Sequence, residues 1–180
     1  MDDRVLPATL TIVAFLIIVV LMWLGWRRRV RGQAGISAPL EAPHSTQQPL
    51  GHWHDVHYVS TSRTGDALDR IVVPPLGFRG RAEVTVLREG PVVRVAGERA
   101  FFIPAGDIEA TIDGTVTIDR VVENGGLTII RWLLPADEHA NPRVSVETSL
   151  RVVDATAREQ LKTALHSLQL TPAPTTEESS

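Results

Sequence analysis

"RVSVETSLRVVDATAREQLKTALHSL", residues 143–168, contains a change of hydrophobic period that decides the fold. In its first part Val146 and Leu150 lie among alternating polar residues, the pattern of a strand with one face in the core and one in solvent. In its second part apolar side chains, among them Leu161 and Leu165, recur at helical spacing. The stretch therefore predicts a last strand followed by one amphipathic helix, whose apolar stripe closes the open end of a sheet or barrel.

The same period of two recurs upstream. It is clear in "AEVTVL", residues 82–87, and in "DIEATI", residues 107–112, while the mostly apolar run "GLTIIRWLL", residues 126–134, is typical of a more central strand. Turn signals such as Asp113-Gly114 separate these segments. We expect about seven strands, and so many short strands joined by tight turns predict a sandwich or a small barrel.

An apolar segment precedes this β-rich region. Residues 5–26 contain no charged side chain, and their 22 positions give roughly 33 Å of helix, enough to cross a bilayer core of about 30 Å. The run is too long for a signal peptide, and it begins after Asp2 and Asp3 instead of a basic region. We therefore predict an uncleaved transmembrane helix at residues 5–26, preceded by a short extracytoplasmic N-terminus, residues 1–4, and surrounded by the lipid bilayer.

The basic residues around this segment predict its orientation. Four arginines follow the apolar run and only Arg4 precedes it, and basic flanks stay on the cytoplasmic side. We expect a single-pass protein of the plasma membrane with its N-terminus outside and residues 27–180 in the cytosol. The four arginines are candidate contacts with the membrane surface: Arg27, Arg28, Arg29 and Arg31.

Composition divides the remaining chain into three parts. Residues 27–51 combine the basic flank with a stretch that has three prolines and two glycines, which predicts a flexible linker. Residues 52–170 form the expected folded domain. The polar tail, residues 171–180, is expected to be disordered.

Charge and cysteine content exclude several classes of function. Of 18 basic and 21 acidic residues, five and two respectively lie before residue 32, which leaves 13 basic against 19 acidic residues in the rest. A part that acidic is a poor partner for nucleic acid, and we expect no nucleic-acid binding. The chain contains no cysteine, so disulfides, thiolate metal sites and cysteine nucleophiles are excluded.

Three segments carry a resemblance to a known family. They are "YVSTSRTGDALDRIVVPPLGFRGRAEVTV" at 58–86, "FFIPAGDI" at 101–108 and "GGLTIIRWLL" at 125–134. With seven strands and one terminal helix, the chain resembles actinobacterial single-span membrane proteins that carry a cytosolic pleckstrin-homology-like (PH-like) domain. The resemblance implies this fold, a gene neighbourhood of pyrimidine biosynthesis and a frequent description as transporters. It carries over no functional residues to this chain.

A group of arginines is the candidate ligand or partner patch of the domain. It consists of Arg63, Arg70, Arg79 and Arg81. Acidic residues dilute this group, so it lacks the dense basic cluster that phosphoinositide-binding PH domains use. Convergence of these arginines in one concave patch would favour binding of lipid or a small ligand.

The segment "TGDALDRI", residues 64–71, contains two carboxylates, Asp66 and Asp69. We interpret it as a helical turn capped by Thr64 or Asp66, with Leu68 packing inward. On this interpretation the carboxylates are surface groups and not a catalytic pair.

The stretch "GHWHDVHY", residues 51–58, is the strongest candidate for a metal site. On a strand, His52 and His54 share one face while Asp55 and His57 share the other, so the strand alone cannot supply three converging ligands. We therefore expect no metal-binding residues here unless a distant side chain completes the set.

No catalytic constellation is recognisable. The sequence lacks a phosphate-binding Gly-x-x-x-x-Gly-Lys loop and a Gly-x-Ser-x-Gly elbow, and we expect no catalytic residues, no cofactor and no enzymatic activity. The function that fits best is a membrane-anchored interaction module with a protein partner, a scaffold or regulator of cytosolic enzymes related to pyrimidine synthesis. The alternatives are lipid or small-ligand binding by the PH-like domain, and a role as accessory subunit of a transport system.

Overall fold

The computed structural model describes residues 5–33, 36–43, 48–114, 116–117, 120–121, 126–136 and 143–170. The chain divides into two compact units, Met1–Gly35 and Ile36–Ser180. The predicted N-terminus at residues 1–4 and the predicted tail at residues 171–180 lie outside the described residues.

The first unit is one long helix, α1, Val5–Gly32. Its stretch Leu10–Arg28 has a mean hydropathy of 2.2, and by length and composition it could span a membrane. The described side chains of this stretch are exposed, as expected for a helix that buries its apolar surface in something other than its own chain. The helix continues through the arginine cluster, past the predicted limit at residue 26.

The second unit is mainly β-structure. Its strands are β1 Leu40–Glu41, β2 Gly51–Arg63, β3 Asp66–Arg70, β4 Gly80–Leu87, β5 Gly90–Val95, β6 Phe101–Phe102, β7 Ile108–Gly114, β8 Val116–Thr117, β9 Arg120–Val121, β10 Leu127–Leu133 and β11 Ser145–Val152. A short 3₁₀-helix, Ala105–Asp107, precedes β7, and the unit ends with α2, Ala155–Leu170. A mainly β domain with a C-terminal helix is confirmed.

One antiparallel sheet holds nine of these strands. Its order is β1-β6-β5-β4-β2-β11-β10-β7, with β3 paired to β2, and β8 pairs separately with β9. The long strand β2 joins the two halves of the sheet, because its first part pairs with β4 and its second part pairs with β11. The inward residues of each strand form a single core, as the period-two patterns predict.

Aromatic rings occupy the centre of this core. Phe101 stacks on Trp132 with ring centroids 6.4 Å apart, and Tyr58 meets Phe101 edge-on at 6.1 Å. Leu161 and Leu165 of α2 are fully buried against the core, which confirms that the apolar stripe of the last helix packs on the sheet. The helix begins beside Asp154, whose Oδ1 accepts a 2.7 Å hydrogen bond from the N–H of Ala157.

The segment between α1 and β2 differs from a plain linker. Ile36 is buried in the core, and Leu40 and Glu41 pair with Phe102 and Phe101. The folded unit therefore begins at Ile36, earlier than residue 52, because a short edge strand extends the sheet.

The helical-turn interpretation of residues 64–71 is wrong. Residues 66–70 form strand β3 on the edge of β2, and Leu68 is 68% exposed. The Oδ1 atom of Asp66 accepts hydrogen bonds from the N–H groups of Leu68 at 2.9 Å and Asp69 at 3.3 Å, so this carboxylate stabilises the bulged start of β3 instead of a helix.

Candidate functional site

An open groove with a volume of about 1160 Å³ lies between the first part of β2 and helix α2. Its β-sheet wall includes His52, Trp53, His54 and Asp55. These four residues belong to the histidine-rich stretch that the sequence singles out.

The edge of β2 in this groove has no strand partner. Residues 51–58 pair with β4 on one side, but on the other side the pairing with β11 stops at Val56, which faces Val152. Among the described residues, no strand pairs with the second edge of residues 51–55, and the chain turns there into α2. The groove therefore presents backbone N–H and C=O groups that an added extended chain can bind.

The helix wall of the groove consists mainly of small and polar side chains. Thr156, Thr163, Ala164 and Ser167 face it, so that another backbone can approach closely. A large side chain from the sheet, the half-buried Trp53, lies across from them.

The charge of the groove is acidic. Asp55, Asp154 and Glu159 line it, and no lysine or arginine does so among the described residues. Glu159 also has a cationic partner, because Lys162 Nζ donates a hydrogen bond to it at 3.0 Å and another to Asp113 at 2.9 Å. The hydrogen bond to Asp113, and to a smaller extent that to Glu159, raises the pKa of Lys162 above its ordinary value.

A β-bulge shapes the sheet wall. Trp53 pairs with Val84 and Val56 pairs with Ala82, so two residues of β2 lie opposite the single residue Glu83 of β4. Bulges of this kind bend the strand and re-aim side chains. Here the bulge places His54 next to the carboxylate of Glu83.

The result is a cluster of two histidines and one carboxylate on the outer face of the sheet. His52 Nε2 lies 2.9 Å from His54 Nδ1, and His54 Nδ1 lies 3.8 Å from Glu83 Oε1. The other nitrogen of His52, Nδ1, lies 2.6 Å from Thr85 Oγ1. The prediction that His52 and His54 share a face agrees with this geometry. The prediction that His57 lies on the opposite face is wrong, because the bulge shifts the alternation and His57 pairs with Arg81, on the same face of β4 as Glu83.

The arginines of the predicted patch lie in two places. Arg63 forms an ion pair with Asp69, with Nε and Oδ2 2.8 Å apart, and Arg70 Nη2 donates to the carbonyl of Val59 at 2.8 Å. Both arginines lie at the β2–β3 hairpin. Arg81 lies in β4 opposite His57, six residues or about 20 Å along β2 from Arg63.

The two remaining arginines of the patch, Arg79 and Arg81, do not lie at the β2–β3 hairpin with Arg63 and Arg70. Arg79 is exposed and directly precedes β4. Arg81 shares its row with His57 and with Arg151, the partner of His57 in β11. Arg63 and Arg81 thus do not converge in one concave patch.

The predicted membrane-surface arginines belong to the first unit. The guanidinium of Arg27 lies 4.9 Å from the centre of the Trp23 ring, an arrangement typical of a cation–π contact. Arg28 is exposed, while the side chains of Arg29 and Arg31 lie outside the described part of the structure.

Two features of the site were not predicted. The sequence placed Glu83 and Thr85 on the solvent face of "AEVTVL" but did not connect them with the histidines. The α2 wall of the groove was also missed. Alternation identifies which face a residue occupies, but the pairing of β2 with β4 and the bulge depend on contacts distant in sequence.

Comparison with known proteins gives one family. The model of a family described as "Bacterial PH domain-like" matches residues 36–166. No curated protein matches the chain. One chain of "The 8S snRNP Assembly Intermediate" is similar in structure at a TM-score of 0.48 and 12% identity, covering 79% of this chain and 98% of its own. At that score the likeness carries no functional argument.

Proposed function

Because the chain belongs to the bacterial PH domain-like family, we propose that it is a single-pass membrane protein whose PH-like domain is a non-catalytic interaction module. The observation that carries this proposal is the groove between β2 and α2, with its free strand edge at residues 51–55. The partner is a protein that inserts an extended segment into this groove as an added strand.

The walls of the groove define the chemistry of that segment. Asp55, Asp154 and Glu159 favour a segment with lysine or arginine side chains, because opposite charges speed encounter and fix the register. The small residues of α2 leave space for a second backbone. Contacts through main-chain hydrogen bonds provide affinity, and the flanking carboxylates provide specificity.

Anchoring strengthens such a contact. Helix α1 is the proposed membrane span, with the N-terminus outside and the domain in the cytosol at the plasma membrane. A tethered module has a high effective concentration at the membrane surface, so a weak contact suffices for assembly. By the resemblance given above, the proposed partners are cytosolic enzymes related to pyrimidine synthesis, for which the domain is a scaffold or regulator.

The topology has a direct test, since the chain contains no cysteine. We expect an Asp3→Cys variant to react with a membrane-impermeant maleimide in intact cells. A Glu98→Cys variant, in the loop after β5, should react only after the membrane is permeabilised. Labelling of Glu98→Cys in intact cells would contradict the proposed orientation.

The interaction site is tested by photo-crosslinking in native membranes. A photoreactive amino acid replaces Thr163, on the helix wall of the groove, or Gln169, on the same helix outside the groove. We expect a reproducible protein adduct from position 163 and none from position 169. No adduct from position 163, or equal adducts from both positions, would contradict the proposal.

Lipid binding is the competing function, and vesicles distinguish it. The row of Arg81, His57 and Arg151 is the most cationic strip that the strand register assembles on the outer face. We compare the full wild-type chain with a double variant, Arg81→Gln and Arg151→Gln. Both should show the same preference for anionic over neutral vesicles. A clear loss of preference for anionic vesicles in the double variant would favour the lipid function.

A further inference from the structure

We propose that His52, His54 and Glu83 form a binding site for one divalent transition-metal ion of the zinc class. Their ligand atoms all lie within 4.8 Å of one another. Two imidazoles and a carboxylate are a common protein ligand set for zinc, with water in the fourth position. The sequence lacked a third ligand for the histidines, and the neighbouring strand β4 provides it.

Two of the three distances lie close to those of a tetrahedral ion. Bonds of about 2.0–2.2 Å at tetrahedral angles place ligand atoms roughly 3.3–3.6 Å apart. The separations of 2.9 Å between His52 Nε2 and His54 Nδ1, and 3.8 Å between His54 Nδ1 and Glu83 Oε1, lie on either side of that range. All three separations lie within 4.8 Å, so rotation of these exposed side chains has to adjust them before all three atoms bind one ion.

Thr85 orients the first of these ligands. Its Oγ1 lies 2.6 Å from Nδ1 of His52, so it can accept a hydrogen bond from the Nδ1–H group and leave Nε2 free to bind metal. Metal-bound histidines almost always have such a partner on their second nitrogen, which fixes the tautomer and the ring plane. This contact distinguishes the cluster from two histidines that are merely adjacent.

The backbone holds the ligands in register. Gly51 pairs with Val86 and His52 pairs with Thr85, so the stretch is part of the sheet and not of a mobile tether. The bulge after Trp53 then places His54 against Glu83. Ligands on paired strands lose little freedom when they bind an ion.

The surroundings of the cluster allow an ion to enter and include one opposing charge. The side chains of His54 and Glu83 are 75% and 48% exposed, so an ion can enter from solvent. His52 and His54 also line the groove, so an ion bound to them would lie at its rim. Arg94 is the register partner of Glu83 in β5, so its positive charge lies on the same face of the sheet and opposes the binding of a cation.

The test uses the full chain in detergent, purified without a polyhistidine tag and treated with chelator. Zn²⁺ and Co²⁺ alone are the probes, and no partner is needed. We expect one ion per chain and, with Co²⁺, the intense visible absorption of a tetrahedral complex. The absence of cysteine removes thiolate binding as a source of that signal.

Variants identify the ligands. We expect Glu83→Gln and His54→Ala each to weaken Zn²⁺ binding at least 10-fold, and Thr85→Val to weaken it about 10-fold through loss of the orienting contact. Arg94→Gln should strengthen it. His57→Ala, a histidine in the same strand outside the cluster, is the control and should leave affinity unchanged.

Each result decides the proposal. No binding by the wild-type chain, or binding that survives both Glu83→Gln and His54→Ala, would overturn it. Equal loss in His57→Ala would also overturn it, since binding would then not depend on this cluster. Melting curves without metal keep the comparison valid, because each variant should melt like the wild-type chain.

Discussion

The indole Nε1 of Trp132 donates a 2.9 Å hydrogen bond to Thr148 Oγ1 in the centre of the core. This bond is the first of a network of four hydrogen bonds that all run in one direction. Thr148 lies 2.8 Å from Thr61, Thr61 lies 2.6 Å from the hydroxyl of Tyr58, and Tyr58 donates to the carbonyl of Leu76 at 3.0 Å. Tyr58 must donate to the carbonyl of Leu76, and this sets the direction of the other bonds. Each of the three hydroxyls therefore donates one hydrogen bond and accepts one, so every polar atom of this network has a partner.

This hydrogen-bond network predicts the loss of stability when the hydroxyl of Thr148 is removed. Thr148→Val keeps the shape of the side chain but leaves the indole N–H of Trp132 without an acceptor in a buried site. We expect a loss of about 1–3 kcal/mol in the free energy of unfolding, measured by thermal denaturation of the full chain in detergent. Thr148→Ser keeps the hydroxyl and should retain these hydrogen bonds. Equal stability of the valine variant and the wild type would contradict the network.

Tyr58 predicts a pH dependence. Burial raises the pKa of its phenol well above the ordinary value of about 10, and this outweighs the opposing effect of the hydrogen bond with Thr61. The neutral phenol is therefore favoured by folding. This stability should be fully present below about pH 10 and should fall by about 1.4 kcal/mol per pH unit above it.

The ionisation of Tyr58 is directly visible, because the chain contains a single tyrosine. We expect no tyrosinate absorbance from the native protein near pH 10 and its appearance only with unfolding. Tyrosinate that forms near pH 10 while the protein remains folded would show that the phenol is not buried.

Two glycines with positive φ angles should lose different amounts of stability when they are changed to alanine. Gly90, at φ +142°, begins β5, and an added Cβ would overlap the carbonyl oxygen of Ile103. Gly97, at φ +86°, has open space around it. We expect Gly97→Ala to cost about 1–2 kcal/mol from backbone strain, and Gly90→Ala to cost more than about 3 kcal/mol because overlap adds to the strain. Melting temperatures in the reverse order would contradict this assignment.

The sequence predicts the regular parts of this fold well. Alternation in 82–87 and 143–150 and the helical stripe that contains Leu161 and Leu165 depend on neighbours within one element, so local pattern is enough. The long apolar run that became α1 is equally local. The C-terminal helix after a set of strands then suffices to indicate the fold class.

The missed parts depend on distant contacts. Leu40 forms a strand only because Phe102 offers an edge, and Asp66–Arg70 are extended because β2 pairs with them. Glu83 reaches His54 only because of a bulge. The groove itself exists because β11 ends opposite Val56 while β2 continues, a mismatch of strand lengths that no single segment reveals.

The central claim is that the groove between β2 and α2 binds a protein partner, and co-purification from native membranes tests it most directly. Thr163→Arg places a large cation on the helix wall of this acidic groove, while Gln169→Arg makes the same change in charge on the same helix outside it. We predict that Thr163→Arg lowers the amount of co-purified partner at least 10-fold and that Gln169→Arg retains it. Retention of the partner by Thr163→Arg at the wild-type level would contradict the account.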